Sequence, residues 1–305
     1  MTHIDRIYDG IRREERAARQ QRIDDACRRA PGLAEVLSSR QAVFADVAGR
    51  RLSPAEAQAR LMALAAEERA LLAAAGLTPD ALALHYRCPA CRDTGYLGGD
   101  VRRPCACRLK LRARLDPAVQ INDRETFEAF DPGIYPDERQ RRQALIARRY
   151  CESYADALPA PPVPNLLLMG MAGLGKSYLG NAIAYRALCR GIDAARTTAY
   201  GFVQDMLSDI RGEGRHAQRY RSAPLLVLDD LGTEPLIPNV TEESLFAVVN
   251  ERAARGLATV LATNLAPAGL QERYGERVFS RLSDGGNTRI LKLEGENLRW
   301  RKPPC

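Results

Sequence analysis

Two stretches of this 305-residue chain combine residue types that could do chemistry. The first reads GMAGLGKS and fits the pattern G-x-x-x-x-G-K-S/T with Gly170, Gly175, Lys176 and Ser177. Glycines allow backbone N–H groups to turn inward around phosphate oxygens, and the helix that follows offers its positive N-terminal end. The lysine can reach the β- and γ-phosphates, and the serine hydroxyl can ligate Mg²⁺. This stretch therefore predicts a site for ATP and Mg²⁺. The residues expected around the nucleotide are Gly170, Ala172, Gly173, Leu174, Gly175, Lys176, Ser177, Tyr178 and Asp229.

Two later strands end in polar residues that complete such a site. The segment PLLVLDDLGTE is an apolar strand that ends in Asp229 and Asp230. The first aspartate is expected to hold Mg²⁺ through water, and the second is placed to orient the attacking water. The segment LATVLATN ends in Asn264, which a neighbouring strand would bring beside the γ-phosphate. Adjacent aspartates, or an asparagine at the end of a strand, can also be simple turn residues. The phosphate motif earlier in the chain favours a role in ATP hydrolysis over that alternative.

The second stretch, CPACRDTGYLGGDVRRPCAC, contains Cys88, Cys91, Cys105 and Cys107. Two cysteines on each of two tight turns can supply four thiolates tetrahedrally to Zn²⁺. A site with four thiolates has no open position, so we expect a structural metal rather than a catalytic one. A redox pair would need a thioredoxin-like strand–helix context, which this segment lacks. An iron–sulfur cluster stays open as an alternative.

Composition limits where the chain works and what it contacts. The N-terminus lacks the apolar core of a signal peptide, and no run approaches the roughly 18 apolar residues of a membrane span. We therefore expect a cytoplasmic protein with reduced thiols and no membrane partner. The net charge of +7 suits contact with nucleic acid, although ordinary basic proteins share it.

Three regions follow from the pattern along the chain. Residues 1–86 are predicted to be a helical N-terminal region that docks a partner, with simple packing as the alternative. Within it, Ser53, Pro54 and Glu56 form the sequence signature of a capped helix start. Residues 87–124 are the zinc-binding module and linker, and residues 125–305 are the ATPase domain. In that domain short apolar strands alternate with helices, which predicts an α/β fold with a parallel sheet covered on both faces.

The order of these motifs resembles the AAA+ ATPases, specifically the DnaC/DnaI-type helicase loaders and their relative IstB. The resemblance spans about 125–301 and rests on LLVLDDLGTE, ATN and GERVFSRL. It implies an AAA+ P-loop parallel sheet with flanking helices and little or no C-terminal lid. Many AAA+ enzymes have Glu where this chain has Asp230, so we expect slow ATP hydrolysis. The catalytic residues that the resemblance implies are Lys176, Asp229, Asp230, Asn264 and Arg281.

The same resemblance assigns roles to residues outside the phosphate motif. Arg281 would be an arginine finger that reaches the nucleotide of an adjacent subunit, with Arg277 as its neighbour one helical turn earlier. This role implies self-association. The segment ENLRWRK aligns loosely with the terminal arginine motif of the loaders, which makes Arg299 the candidate for a sensor 2 role. The segment ETFEAFD is similar to the opening of the loader ATPase domain, where Phe127 and Phe130 would lie near the adenine.

A basic segment, RGEGRHAQRYRSAP, lies between two predicted strands and could bind DNA. In this architecture the region can face a central channel, and arginines interleaved with an aromatic ring suit single strands. A solvated loop and helix is an equal alternative. The candidate contacts are Arg215, Arg219, Tyr220 and Arg221.

The cysteine block separates the two families that the ATPase domain resembles most. HYRCPACRDTGY followed by CAC is similar to a block found ahead of the ATPase domain in many loader-like proteins, and IstB-type helpers generally lack it. We therefore expect a helicase loader that binds a hexameric DnaB-type replicative helicase and single-stranded DNA during replication initiation or restart. The alternatives are an IstB-like transposition helper that binds duplex DNA and a transposase, or a nucleotide switch without hydrolysis.

Overall fold

The structure is a computed structural model that describes residues 3–98, 103–115 and 120–300. The chain forms two separately packed units, Met1–Val101 and Arg102–Cys305, and each has its own hydrophobic core. Within the described residues, no helix combines the length and the apolar character that crossing a membrane requires.

Helices make up most of the first unit. The capping signature predicts where its third helix begins, and the structure shows that start. The Ser53 hydroxyl accepts a hydrogen bond from the Glu56 N–H at 3.3 Å, and the Glu56 carboxylate accepts one from the Ser53 N–H at 2.9 Å. Leu33 and Leu72 are fully buried in the core of this unit. The elements are α1 (His3–Arg29), α2 (Leu33–Ala48), α3 (Pro54–Ala74), a 3₁₀ turn (Pro79–Leu82) and the strand β1 (Tyr96–Leu97).

The second unit is built around a five-stranded sheet. Its first elements are β2 (Arg103–Pro104), α4 (Ala106–Leu115), a 3₁₀ turn (Pro132–Ile134) and α5 (Glu138–Ala157). Strands and helices then alternate: β3 (Asn165–Met169), α6 (Lys176–Cys189), β4 (Ala194–Thr198), α7 (Ala199–Ile210), α8 (His216–Ser222), β5 (Leu225–Leu231), α9 (Thr241–Ala254), β6 (Ala258–Thr263), α10 (Pro267–Leu282) and β7 (Thr288–Lys292). Between β7 and residue 300 the chain forms only a 3₁₀ turn (Leu298–Trp300).

All pairings in this sheet are parallel, and the strand order is β4-β5-β6-β3-β7. Every residue of β3 and β6 is buried, as expected for strands that are covered on both faces. One core lies on each side of the sheet. The predicted parallel α/β fold is therefore confirmed.

Strand register determines what meets at the carboxyl edge of the sheet. Met169 at the end of β3 pairs with Thr263 at the end of β6, so the segments after these two residues emerge side by side. Asp229 of β5 pairs with Thr198 at the end of β4. In open parallel sheets, ligands bind outside this edge. The phosphate motif, the two aspartates and Asn264 all lie there.

A fully buried arginine joins the helices on one face to the strands beneath them. Arg252 of α9 donates from Nη1 to the carbonyls of Tyr220 and Ala223, at 2.7 and 2.8 Å. Its Nη2 donates to the Ala258 carbonyl at 2.6 Å, and its Nε donates to the Thr259 hydroxyl at 3.0 Å. Burial lowers the pKa of Arg252 to about 10, so the side chain is still charged at neutral pH.

Replacing Arg252 with Ala should lower the free energy of unfolding by about 4 kcal/mol or more, because it leaves four buried acceptors without this donor and each such loss costs roughly 1–3 kcal/mol. Urea unfolding followed by far-UV circular dichroism measures the loss. Arg255→Ala is the matched control on the same helix, since Arg255 is half-exposed and pairs with Glu251 at 3.6 Å. That variant should lose less than about 0.5 kcal/mol. Equal losses in the two variants would contradict the role given to Arg252.

Candidate nucleotide site

The phosphate loop runs from the end of β3 into the first turn of α6. Gly173 and Gly175 have φ values of +77° and +90°, in the left-handed region that glycine adopts without strain. Gly175 caps the N-terminus of α6, so the first N–H groups of that helix point toward the loop. A side chain at Gly173 would collide with Asn297, because its Cβ would lie 1.7 Å from the Asn297 Oδ1. The loop therefore has the backbone geometry that phosphate oxygens need.

Lys176 is buried at the centre of this loop. Its Nζ donates to the carbonyl oxygens of Gly170 and Met171, at 2.6 and 2.7 Å. A third hydrogen bond of 2.7 Å joins the Nζ to Oδ1 of Asn264, at the end of the neighbouring strand. Burial lowers the pKa of Lys176, and the nearby charges of Asp230 and Asp229 oppose this shift. The structure thus brings the predicted lysine and the predicted asparagine into direct contact.

Asp229 is buried next to Ser177, and the two side chains fit a Mg²⁺ ion. The Ser177 hydroxyl donates to Oδ1 of Asp229 at 3.0 Å, which places a hydroxyl oxygen and a carboxylate oxygen side by side. Mg²⁺ prefers oxygen ligands of these kinds together with water and phosphate. On the other side of the carboxylate, Nη2 of Arg196 donates to Oδ2 of Asp229 at 2.7 Å.

Arg196 was not identified from the sequence. It stands in the middle of β4, in a segment whose sequence, AARTT, contains no motif. Its role becomes visible only when β4 pairs with β5, because that pairing brings Arg196 next to the strand that carries Asp229.

Asp230 has an unusual backbone conformation. Its φ is +55°, which a residue with a side chain rarely adopts, and the register of β5 shifts between Leu228 and Leu231. Irregularities of this kind turn side chains toward active sites. Burial raises the pKa of Asp230, the charge of Asp229 raises it further, and Lys176 lowers it. Asp230 thus faces the cavity from a strained position beside two charged groups.

A cavity of about 340 Å³ lies beside the phosphate loop and has the size of a small-molecule site. Lys176, Asp230 and Asn264 line its polar end. An aromatic wall borders it, in which the Phe130 ring centroid lies 5.9 Å from that of Tyr135 and 5.8 Å from that of Tyr178. The glycine-rich loop, the Lys176 ammonium, the pair Asp229 and Asp230, and the aromatic wall together fit a nucleoside triphosphate.

Phe127 does not line this cavity, in contrast to the sequence-based expectation. Its side chain is 1% exposed and packs in the core on one face of the sheet. Of the two phenylalanines in ETFEAFD, only Phe130 reaches the cavity wall. The spacing of three residues places them on different sides of this turn, which sequence reasoning did not resolve.

The segment after β7 covers one side of the phosphate loop. The Leu298 N–H donates to the Gly173 carbonyl at 3.0 Å, and Arg299 lines the cavity. Gln140 of α5, which is 4% exposed, holds the same segment: it donates to the Glu296 carbonyl at 2.9 Å and accepts from the Glu296 N–H at 3.2 Å. Arg299 thus lines the cavity from this segment, its sensor role stays a prediction, and Gln140 is a support that the sequence did not reveal.

This site geometry agrees with the family to which the sequence can be matched. A model of the IstB-like ATP-binding proteins matches residues 126–300, which is more than half of the chain. The chain belongs to this family. The IstB-like domain is an AAA+ P-loop domain that binds ATP, and it contains the whole cavity described above except Glu125.

The similar proteins include an insertion sequence ATP-binding protein, a chromosomal replication initiator and a helicase loader. A putative insertion sequence ATP-binding protein, y4pL of Sinorhizobium fredii (strain NBRC 101917 / NGR234), is 30% identical over 201 residues, 62% of this chain and 75% of that protein. A chromosomal replication initiator protein DnaA of Rippkaea orientalis (strain PCC 8801 / RF-1) is 33% identical over 174 residues, and the match spans 54% of this chain but only 35% of the DnaA. A crystal structure of the DnaC helicase loader is 21% identical, with a TM-score of 0.47 over 57% of this chain and 100% of that chain.

The two arginines of α10 differ in their surroundings. The helix is interrupted at Gly275, where φ is 71°, and both arginines follow this break. The Arg277 guanidinium lies 3.9 Å from the centroid of the Phe246 ring and 3.7 Å from the Glu243 carboxylate, so α9 holds it. Arg281 is exposed on the IstB-like domain. Both arginines are exposed, so the pair differs in the contacts that α9 makes with Arg277 and not in exposure.

The basic segment around α8 only partly matches the expectation of a DNA surface. Tyr220 is 4% exposed and its hydroxyl donates to Asp205, so its ring cannot stack on a base. The expectation for Tyr220 is therefore wrong: the ring belongs to the core under α7. Arg219 donates to the Ala194 carbonyl at 2.9 Å, and Arg221 lies 3.4 Å from Glu251. Arg215 is exposed at the start of α8.

The structure brings the four cysteines of the second chemical stretch together. The Sγ atoms of Cys88, Cys91, Cys105 and Cys107 all lie within 4.8 Å of one another. Tetrahedral zinc with bonds of about 2.3 Å places its sulfurs about 3.8 Å apart, and Sγ atoms that all lie within 4.8 Å of one another are compatible with this arrangement. The Gly95 N–H donates to the Sγ of Cys91 at 3.3 Å, an outer hydrogen bond of the kind that orients metal ligands. The four thiols could therefore hold Zn²⁺.

Replacing Asp230 with Asn should separate hydrolysis from binding. The amide keeps the shape of the side chain but cannot accept a proton from water, so we expect ATP hydrolysis to fall about 10²-fold or more while ATP affinity is retained. Steady-state phosphate release and fluorescent-nucleotide binding measure the two quantities. The melting temperature should not fall, because a neutral amide is desolvated at lower cost than a carboxylate. Unchanged hydrolysis in this variant would refute the role of Asp230.

Proposed function

We propose that this chain is an ATP-dependent helicase loader, which binds a hexameric DnaB-type replicative helicase and single-stranded DNA during replication initiation or restart. The observation that carries the proposal is the four-thiol cluster ahead of the IstB-like domain, because this cysteine block resembles that of loader-like proteins. The helical unit and the cysteine module would bind the helicase, and the nucleotide state of the ATP site would control assembly and release.

The geometry of the ATP site supports a division of roles during hydrolysis. Lys176, which donates a hydrogen bond to Asn264, would bind the β- and γ-phosphates. Ser177 and Asp229 would hold Mg²⁺, which neutralises charge on the phosphates when bound. Asp230 would orient the attacking water. Its side chain is one methylene shorter than Glu, and this supports slow ATP turnover.

Self-association would complete the site. Arg281 is exposed after the break in α10, and we propose that it reaches the nucleotide of an adjacent copy as an arginine finger. Arg299, at the rim of the cavity, would act on the phosphates from within the same chain as a sensor. Both roles place a positive charge where negative charge develops in phosphoryl transfer.

Contact with single-stranded DNA would use the arginines of the basic segment without Tyr220. Arg215 is exposed, and Arg219 is partly buried with its guanidinium beside the Ala194 carbonyl and Asp193, so phosphate contact is the chemistry that they offer. Base stacking, the second half of single-strand recognition, would have to come from another residue.

A transposition helper that binds duplex DNA and a transposase is the second candidate. It is favoured by the match to the IstB-like family and by the similarity to y4pL, which is described as an insertion sequence ATP-binding protein. The two candidates share the ATP site and differ in partner and in DNA form. A switch without hydrolysis is a third possibility, which the Asp230→Asn comparison addresses.

Co-purification of the full chain from its source cells tests the proposed function. We expect a hexameric replicative helicase, identified by mass spectrometry, to be captured with ATP and Mg²⁺ present, together with a preference for single-stranded over duplex oligonucleotides. Arg215→Ala with Arg219→Ala should weaken the oligonucleotide binding and make it less salt-dependent. Capture of a transposase, or a preference for duplex DNA, would contradict the loader function and support the transposition helper instead.

The cysteine cluster is proposed to bind one structural Zn²⁺. Mass spectrometry under non-denaturing conditions should show one zinc per chain, and Cys88→Ser with Cys107→Ser should lose it and lower the melting temperature. Cys189→Ser is the matched control and should keep the metal, because Cys189 is on α6 outside the cluster. A folded chain without metal would overturn the proposal. Bound iron together with absorbance in the visible range would show that the cluster holds an iron–sulfur centre instead of zinc.

A further inference from the structure

We propose that Arg196 couples the Mg²⁺ side of the ATP site to the segment that leads into the IstB-like domain. This segment, residues 120–125, is called the linker segment here and follows α4, the helix that carries Cys107. The inference deepens the proposed ATP-dependent function and rests on it, because it describes how the nucleotide state would be transmitted along the chain.

One guanidinium makes both contacts. Nη2 of Arg196 donates to Oδ2 of Asp229 at 2.7 Å, and Nη1 donates to the carbonyl of Gln120 at 2.5 Å. The Arg196 side chain is 13% exposed and that of Asp229 is 5% exposed, so water screens this ion pair little. A guanidinium is a rigid planar fork, so a displacement of one of its nitrogens displaces the other. The carboxylate of the predicted Mg²⁺ ligand and the linker segment are therefore mechanically joined.

The linker segment has a second attachment that does not involve the acidic pair. Asn181 of α6 is fully buried and accepts the Asn122 N–H at 2.9 Å. Its Nδ2 donates to the carbonyls of Asn122 and Glu125, at 2.7 and 2.9 Å. Asn181 thus holds the later residues with a neutral side chain, and Arg114 of α4 pairs with Asp123 at 2.9 Å. The charged Arg196 holds the first residue, and among these contacts it is the one that also reaches the acidic pair of the ATP site.

The hydrogen bonds of Arg196 show that these two partners set its position. Its Nε is buried and has no hydrogen-bond partner within the part of the chain that the structure describes. A buried donor without an acceptor costs free energy, so Arg196 adopts a conformation that leaves one of its donors unsatisfied. It is arranged instead to reach Asp229 and Gln120 at the same time.

The two oxygens of Asp229 face different positive partners. Oδ1 accepts from the Ser177 hydroxyl, on the side where Mg²⁺ would bind, and Oδ2 accepts from Arg196. Positive charge added on the Ser177 side competes with the guanidinium for the same carboxylate and repels it. Binding of nucleotide with Mg²⁺ should therefore weaken the hold of Arg196 on Asp229 and, through the rigid fork, on Gln120. The linker segment should loosen when the site is filled.

Hydrogen–deuterium exchange of the full chain tests this coupling. Peptides that cover residues 120–125 are compared with ATP and Mg²⁺ and with ATP and EDTA. We expect exchange in this segment to be at least about fivefold faster with Mg²⁺, the lower end of typical coupling between linked sites. In Arg196→Lys the difference should vanish, because one ammonium cannot bridge Asp229 and Gln120 together. Arg196→Gln, which lacks the charge, should behave in the same way.

Arg190→Lys is the matched control. Arg190 also donates to backbone carbonyls, those of Ala155 and Leu158, but contacts neither the linker segment nor the acidic pair. This variant should keep the Mg²⁺-dependent difference, and fluorescent-nucleotide titration confirms that each variant still binds ATP. Equal exchange of the wild-type segment with and without Mg²⁺ would overturn the coupling. A Mg²⁺-dependent difference in Arg196→Lys as large as that of the wild type would also overturn it.

These outcomes are separate from those that test the loader. The exchange experiment needs only the chain, ATP and Mg²⁺, with neither helicase nor DNA. A chain that shows the Mg²⁺-dependent difference but captures no helicase keeps the coupling and loses the loader function. A chain that captures the helicase but shows no difference keeps the loader function and loses the coupling.

Discussion

The in-register parallel pairing of β3 with β6 is the constraint on which the nucleotide site depends. Since Met169 lies opposite Thr263, the phosphate loop and Asn264 leave the sheet at the same edge. Lys176 can then reach across the edge to Asn264 while its remaining donors hold the loop carbonyls. A shift of one residue in this register would turn alternate side chains to the other face and separate the two groups. The order and register of the strands thus place Lys176 and Asn264 next to each other without a bound ligand.

Charge balance at the same edge explains why two adjacent aspartates behave differently. Asp229 is fully engaged, with Ser177 on one oxygen and Arg196 on the other. Asp230 projects from an irregular part of β5, and burial together with its neighbour raises its pKa. The first arrangement suits a carboxylate that holds a cation in place. The second suits a group that must act on water, since a carboxylate with a raised pKa is a better base.

Arg196 gives the acidic pair a connection beyond the site. The same side chain contacts the Mg²⁺ side of the pocket and the segment that follows the cysteine-bearing helix α4. A loader must pass information between nucleotide and partner, and so must a transposition helper. The shared ATP site therefore does not decide between them, and the cysteine cluster remains the feature that favours the loader.

The sequence by itself determined the parallel α/β fold, the phosphate motif, the acidic strand and the cysteine pairs, because each is a local pattern with a fixed physical meaning. Strand positions follow from short apolar runs such as LLLM in β3 and LLVL in β5. Only the tertiary structure decided that Phe127 and Tyr220 are buried, that Gln140 supports the segment after β7, and that Arg196 reaches Asp229. These contacts join residues that are far apart in the chain. They depend on strand order and register, which no local pattern contains.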